Sequence, residues 1–348
     1  MSDSTRISRR PALEGSTTWQ PAPGERTAHA GKEQPAPTYY DVPMLKPPVW
    51  KWEIPSYFFL GGLSAGAFVL SRLAARFGKG RYREVTQAGT AVAAAALAPC
   101  PLLLIRDLGD PKRFHFMLRV FKPQSPMNLG AWTLMAYSGA VTLAAMQEWL
   151  LGRRKGRARR DSLPARVAGD ALSAATDGLG IPVALLLGGY TGVLLSTTST
   201  PLWARNPWLG PLFSASALGA GAEAINLALS AKAPDAAREP VEQVGQAARL
   251  AEAVTLGGFL ASAGSLAAPL TQGKYAPHLW GGAIGAGLLL PTLLENAPVG
   301  SQKTRRWVRI AGAALGLAGG LALRWAITQA GHPSASDPQA ARKASRKT

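Results

Sequence analysis

Glu53, Tyr57, Asp107, Trp132 and Tyr190 stand at the ends of long apolar stretches, whereas Asp177, Glu223, Glu252 and Glu295 stand inside such stretches. The first group combines hydrogen-bonding and titratable side chains with adjoining apolar surface. A quinone needs that combination: its ring and isoprenoid tail take apolar contact, while its two oxygens take donors and a proton route. Tyr and Trp near the ends of apolar helices also serve as interfacial belt residues, and partial solvation would accommodate Glu53 and Asp107. The second group is costly to place in lipid unless paired or wet, and proton relays are a frequent use of such carboxylates. Arg324, in the last apolar stretch, is a candidate partner for one of them. Hydrogen bonds between helices, or snorkelling towards the membrane surface, would equally accommodate these four.

Several chemistries are excluded by what the chain lacks. Cys100 is the single cysteine, so no disulfide, thiolate zinc site or iron-sulfur cluster is expected within this chain. The four histidines, His29, His115, His278 and His332, fall in tails, a loop or the edge of an apolar run, and a pair of inward-facing haem ligands is not expected. No phosphate-cradling glycine loop, nucleophile elbow or metal-binding helix motif appears. The reading therefore includes no metal site and no soluble-type catalytic centre.

These side chains must be held by membrane helices. Apolar residues make up 47% of the 348 and charged residues 17%, and the charges gather between apolar stretches. Spans are expected near 55–75, 85–106, 128–151, 172–197, 208–231, 248–270, 279–298 and 307–328. Each is about 20 residues, enough at ~1.5 Å per residue to cross a hydrocarbon core of ~30 Å. The fold class is accordingly all-α, a polytopic bundle of about eight transmembrane helices in two four-helix halves. Gly62 and Gly66 in GGLSAG give the first span a small-residue face suited to close helix packing. Residues 1–50 are rich in Pro, Ser, Thr, Gly and charge and read as a disordered or extended tail, with 51–330 as the membrane domain and 331–348 as a disordered C-terminal tail. No secretory signal is visible, so the first span is expected to direct insertion.

The net charge of +18 and the pI near 10.6 follow from topology more readily than from nucleic acid, which is not expected as a partner. Lys and Arg concentrate after the first, third, fifth and seventh spans, including Arg72, Arg76, Lys79, Arg81 and Arg83 after the first. Those connections are expected on the cytoplasmic side, next to anionic lipid, with both termini outside. The exception is RDLGDPKRFHFMLRVFKPQSPMNLG between spans two and three, a basic loop on the outer side.

Three strings carry a resemblance. YYDVPMLKPPVWKWEIPSYFFLGGLSAGAFVL, then LIRDLGDPKRFHFMLRVFKPQSPMNLGAWTL, then GGYTGVLLSTTSTPLW resemble the NrfD family, the membrane subunits of polysulfide reductases and related molybdoenzymes. The DLGDPxRF and SPMxxGxW patterns are the most specific, and the likeness extends in span order over about residues 39–330. It implies a haem-free anchor in a bacterial cytoplasmic membrane, docked by its outer face to a ferredoxin-like iron-sulfur subunit and through it to a molybdopterin subunit. It implies quinone or quinol chemistry, with menaquinone or ubiquinone, among the first four helices, in a respiratory oxidoreductase complex with no complete activity in this chain alone. By motif position the quinone role passes to Glu53, Tyr57, Asp107 and Tyr190, with Lys112, Arg113, His115 and Trp132 supporting the site or the docking surface. Asp107 or Glu53 would exchange protons locally; a connected path through the inner carboxylates would draw them from the cytoplasm instead.

Two other readings compete. Intramembrane carboxylates and glycine-broken helices suit a secondary transporter, although the first and last four spans show no convincing self-similarity. A purely structural anchor with no working quinone site would keep the same helices.

Overall fold

The structure is a computed structural model that describes residues 45–78, 80–153, 163–229, 235–298 and 301–346. Most of the expected N-terminal tail, 1–44, lies outside the described residues, as do 347 and 348. The described chain is helical, with no strand. Its helices are α1 (Glu53–Phe77), α2 (Arg83–Leu97), α3 (Cys100–Asp107), α4 (Phe116–Arg119), α5 (Pro126–Arg153), α6 (Leu163–Ser196), α7 (Leu209–Ala228), α8 (Asp235–Ala263), α9 (Ala268–Thr271), α10 (Leu290–Glu295), α11 (Gln302–Ser336) and α12 (Pro338–Arg346). A π-helix, His278–Leu289, precedes α10.

Helical segments thus occupy all eight expected positions, and six of them are long and apolar enough to cross a membrane. The other two are α7, diluted by its glycines, Pro211, Ser214, Ser216, Glu223 and Asn226, and the π-helix with α10. The second span is two helices, because Pro99 and Pro101 each lack an amide proton and break the ladder between α2 and α3. In the seventh, Gly281, Gly282, Gly285 and Gly287 fall within the π-helix, a wide turn that often marks functional regions.

The core is built around α1, of whose apolar window 72% is buried, while none of the other candidate spans exceeds 44%. It packs on α2, α6, α7 and α11. A Cβ on Gly66 would come within 2.0 Å of the Ala217 carbonyl oxygen, and one on Gly221 within 2.4 Å of the Ala67 nitrogen, so α1 and α7 cross backbone to backbone. Gly62 has a different use: it makes room for the Arg324 guanidinium, which a Cβ would approach to 2.8 Å.

Two expectations are corrected. Residues beyond 331 do not lose structure at once: α11 runs to Ser336 and α12 follows. The cause is tertiary, since Ser334 Oγ accepts a 3.0 Å hydrogen bond from the Leu202 amide and Gly331 lies beneath the Trp203 ring. Arg72 is not a loop charge either; it is buried within α1.

Candidate functional site

At one end of the bundle, α1, α3, α5 and α6 surround a cavity of ≈ 280 Å³, with the segment 108–118 lying across it. Its walls are mostly apolar: Ile54 and Phe58 from α1, Leu104 and Ile105 from α3, Leu134 and Met135 from α5, and Met117 and Leu118 from the crossing segment. Among the sequence-derived candidates, Tyr57, Asp107 and Tyr190 line it together. They arrive from three helices and from distant parts of the sequence.

The motif residues explain how Tyr190 is placed. Its hydroxyl donates to the Pro126 carbonyl, the first residue of α5. A Cβ on Gly130 would sit 2.4 Å from the tyrosine ring, so glycine at that position lets the ring lie flat against α5. Asn128 ties the crossing segment down: its amide donates to the carbonyls of Met117 at 2.7 Å and Val120 at 3.1 Å, and its oxygen accepts from the Lys122 amide at 2.7 Å. Asp110 accepts from the Lys112 amide at 3.3 Å and starts the short turn Pro111–Arg113. The SPMNLG and DLGDP strings therefore form one scaffold around the cavity mouth. Gly130, Asn128 and the apolar lining were not singled out as site residues; the only signal was their place within the motif.

The other candidates at this end do not line the cavity. Glu53 is buried in the first turn of α1, with Oε1 3.5 Å from Arg106 Nε and Oε2 without a hydrogen-bond partner. It lies within electrostatic reach of Asp107, as does Lys51. Trp132 meets Phe121 edge-on at 5.9 Å, and its Nε1 is buried without a hydrogen-bond partner. Lys112, Arg113 and His115 are exposed on the crossing segment; Arg113 pairs with Asp110 at 3.1 Å and His115 packs on Phe114 and Phe116. These three belong to a basic and aromatic surface outside the cavity, not to its wall.

The four inner carboxylates separate into three sites. Asp177 is paired with Arg72 at 2.6 Å, both buried. Glu223 and Glu295 both bind Arg249. Glu252 lies within electrostatic reach of Arg324 and beside Ser216, whose hydroxyl accepts from Arg324 Nη1 at 2.7 Å. Arg324 Nη1 also donates to the Gly320 carbonyl and Nη2 to that of Phe213, each at 3.3 Å, and the guanidinium sits 5.3 Å from the centre of the Phe213 ring. Arg324 is thus within electrostatic reach of one carboxylate, Glu252, while its direct hydrogen bonds go to Ser216 and to backbone carbonyls. Arg72 and Arg249 were missed as partners because the first reads as a loop charge and the second as a charge at a span edge.

Residues 41–333 match the family described as Polysulphide reductase, NrfD. The protein is 33% identical over 311 residues to the polysulfide reductase C chain of Wolinella succinogenes, covering 81% of this chain and 94% of that protein. It is 28% identical over 321 residues to protein NrfD of Escherichia coli, covering 81% and 95% respectively. A shorter match, 28% over 113 residues, joins 32% of this chain to 26% of the selenate reductase C subunit of Mesobacillus selenatarsenatis. With the family match spanning nearly all of the described bundle, the chain belongs to the NrfD polysulphide reductase family of membrane subunits.

Proposed function

We propose that the chain is the quinone- or quinol-reactive membrane subunit of a respiratory molybdoenzyme-type oxidoreductase, in a bacterial cytoplasmic membrane with both termini outside. The observation that carries this reading is the apolar cavity that brings Tyr57, Asp107 and Tyr190 together. Its volume is close to the ~300 Å³ lower end of small-molecule sites, and its few polar groups suit a ring with two oxygens better than a charged solute. A bound menaquinone or ubiquinone supplies two-electron, two-proton redox chemistry. Tyr190 keeps one acceptor position free while its proton is held by Pro126, and Tyr57 offers a phenol from the facing helix. Asp107, half-buried near Glu53, is placed to exchange protons with the medium.

The exposed basic and aromatic segment 112–122 provides a surface for a ferredoxin-like iron-sulfur subunit, which would link the cavity to a molybdopterin subunit. Asp177, Glu223, Glu252 and Glu295 offer protonatable groups deeper in the bundle, for proton movement coupled to turnover.

Purification from native membranes in mild detergent, with mass spectrometry of co-purifying proteins and extraction of quinone, tests this reading. Recovery of an iron-sulfur protein, a molybdopterin protein and quinone is expected. Tyr190→Phe and Asp107→Asn complexes should assemble and lose quinone-linked turnover; full turnover in both would leave a structural anchor. A lone protein without quinone would favour a transporter.

A further inference from the structure

The cavity that holds Tyr57, Asp107 and Tyr190 is walled by four helices, and three of its four seams are closed. α1 packs on both α3 and α6, and α5 packs on α6. The Tyr190 ring against Gly130, with its hydroxyl on the Pro126 carbonyl, fills the α5–α6 seam at the level of the cavity. The fourth pair is α3 and α5. Both supply wall residues, yet among the described residues they share no extensive packing.

The prolines of the second span account for this gap. α2 packs on α5, and deeper in the bundle Ser64 Oγ donates to the Ala93 carbonyl of α2 at 2.7 Å and lies 2.8 Å from Tyr137 Oη of α5. The break at Pro99 and Pro101 releases α3 from that course, and α3 packs on α1 instead. A slit is left between α3 and α5. The junction of α1, α2 and α5 bounds it on the inner side, and the segment 108–118 bounds it at the end of the bundle.

Wall residues on both sides show that the slit opens outward. Met135 of α5 lines the cavity and is nevertheless 46% exposed, and Pro101 of α3 lines it and is exposed as well. Leu102, next to Pro101, is 68% exposed. All three lie within spans long and apolar enough to cross a membrane. Met135 stands about 14 Å along α5 from Pro126, and Pro101 about 9 Å along α3 from Asp107. An opening at that depth faces hydrocarbon. Ser138, also on the wall, donates its hydroxyl proton to the Leu134 carbonyl at 2.7 Å, so the serine offers no free donor to the slit.

We infer that the slit between α3 and α5 is a lateral portal, through which the quinone ring enters from the bilayer and in which its isoprenoid tail then lies. Pro101, Leu104, Met135 and Ser138 form the tail subsite. A long apolar chain that leaves through this slit stays in hydrocarbon, whereas one that left past the segment 108–118 would have to enter water. The ring then points its oxygens towards Tyr57, Tyr190 and Asp107. This inference rests on the quinone reading and adds to it the route of entry and the residues that meet the tail.

The test is photolabelling of the purified complex in lipid vesicles with a menaquinone and a ubiquinone analogue, each carrying a diazirine in the first isoprene unit. Labels displaced by the parent quinone are located by mass spectrometry. They are expected on Pro101, Leu102, Leu104, Met135 or Ser138. Displaceable labels confined to α1 or to the α5–α6 seam would overturn the portal and leave the quinone reading standing. A complete absence of displaceable label would remove the quinone reading, and the inference with it. Ser138→Trp and Met135→Trp narrow the slit, and at least one should lower kcat/KM for a long-tailed quinol by about tenfold. Leu143→Trp, on the exposed surface of α5 beyond the cavity, should leave it unchanged. An unchanged kcat/KM in both slit variants, with the partner subunits still co-purifying, would also overturn the portal.

Discussion

The two ends of this bundle handle polar side chains in opposite ways. At the Asp107 end, Tyr57, Asp107 and Tyr190 line a cavity whose other walls are mostly apolar. At the Glu295 end, carboxylates and guanidiniums face one another, and the cavity beside them is polar. The first arrangement costs little to maintain, because its phenols are neutral and its carboxylate is only half-buried at a helix end. The second is stable only while its charges are matched, since a buried ion without its partner costs far more than the pair gains. Substitutions should therefore act mainly on activity at the Asp107 end and on stability at the other.

The largest effect is expected at Arg324. Arg324→Leu removes a cation that stabilises the buried Glu252 carboxylate and leaves Ser216 without its donor. A loss of about 3–5 kcal/mol is expected, read as a sharp fall in thermal stability of the detergent-solubilised complex. Adding Glu252→Gln should restore most of it, because the double variant no longer buries an unmatched charge. If the double variant were no better than the single, the charges at this end would not be what holds it together.

Gly66→Val comes next. The added Cβ alone would stand 2.0 Å from the Ala217 carbonyl oxygen and 2.7 Å from its carbon, so α1 and α7 must move apart. Overpacking of this kind costs about 1–3 kcal/mol, and more where the obstacle is backbone. Because the α1–α7 crossing lies between the two ends, this variant should impair both of them, in contrast to Arg324→Leu. Melting temperature together with quinone retention would show it.

Much of the architecture was legible in the sequence because hydrophobicity and length decide it. The spans read at 55–75 and 128–151 became α1 and α5, and the short motif strings pointed to the end that holds the cavity. What was not legible depends on partners distant in sequence. Nothing local to Arg72 shows that Asp177, 105 positions away, will bury it. Arg249 stands among polar residues of α8 and reads as an edge charge until α7 and α10 bring two carboxylates to it. The helical continuation past 331 depends on Leu202 and Trp203, and the split of the second span on Pro99 and Pro101, whose effect within an apolar run is a matter of degree. Among the site residues, exposure separated those that line the cavity from Lys112, Arg113 and His115, which share its motif but face outward.

Tyr190→Phe sharpens the comparison from the other end. It removes the hydrogen bond to Pro126 and costs about 0.5–1.5 kcal/mol of stability, while quinone-linked turnover should fall by a much larger factor than any effect of Arg72→Lys on the same rate. A turnover loss no greater than the stability loss accounts for would make Tyr190 a packing residue.

The smallest stability effect is expected at Arg113→Ala. Arg113 and Asp110 side chains are 73% and 52% exposed, and an ion pair so wet contributes between nothing and ~1 kcal/mol. The melting temperature of the isolated subunit should hardly change. Its retention of the iron-sulfur subunit should nevertheless weaken, and weaken further as salt is raised, because an exposed cation at an interface acts chiefly on association rate and salt dependence. Combining it with Lys112→Ala should deepen the loss of retention without touching the cavity, measurable as unchanged quinone content. If retention were salt-independent and unchanged in the double variant, the basic segment would not be the docking surface, and the exposed aromatic residues Phe114, Phe116 and Phe121 beside it would be the next to replace.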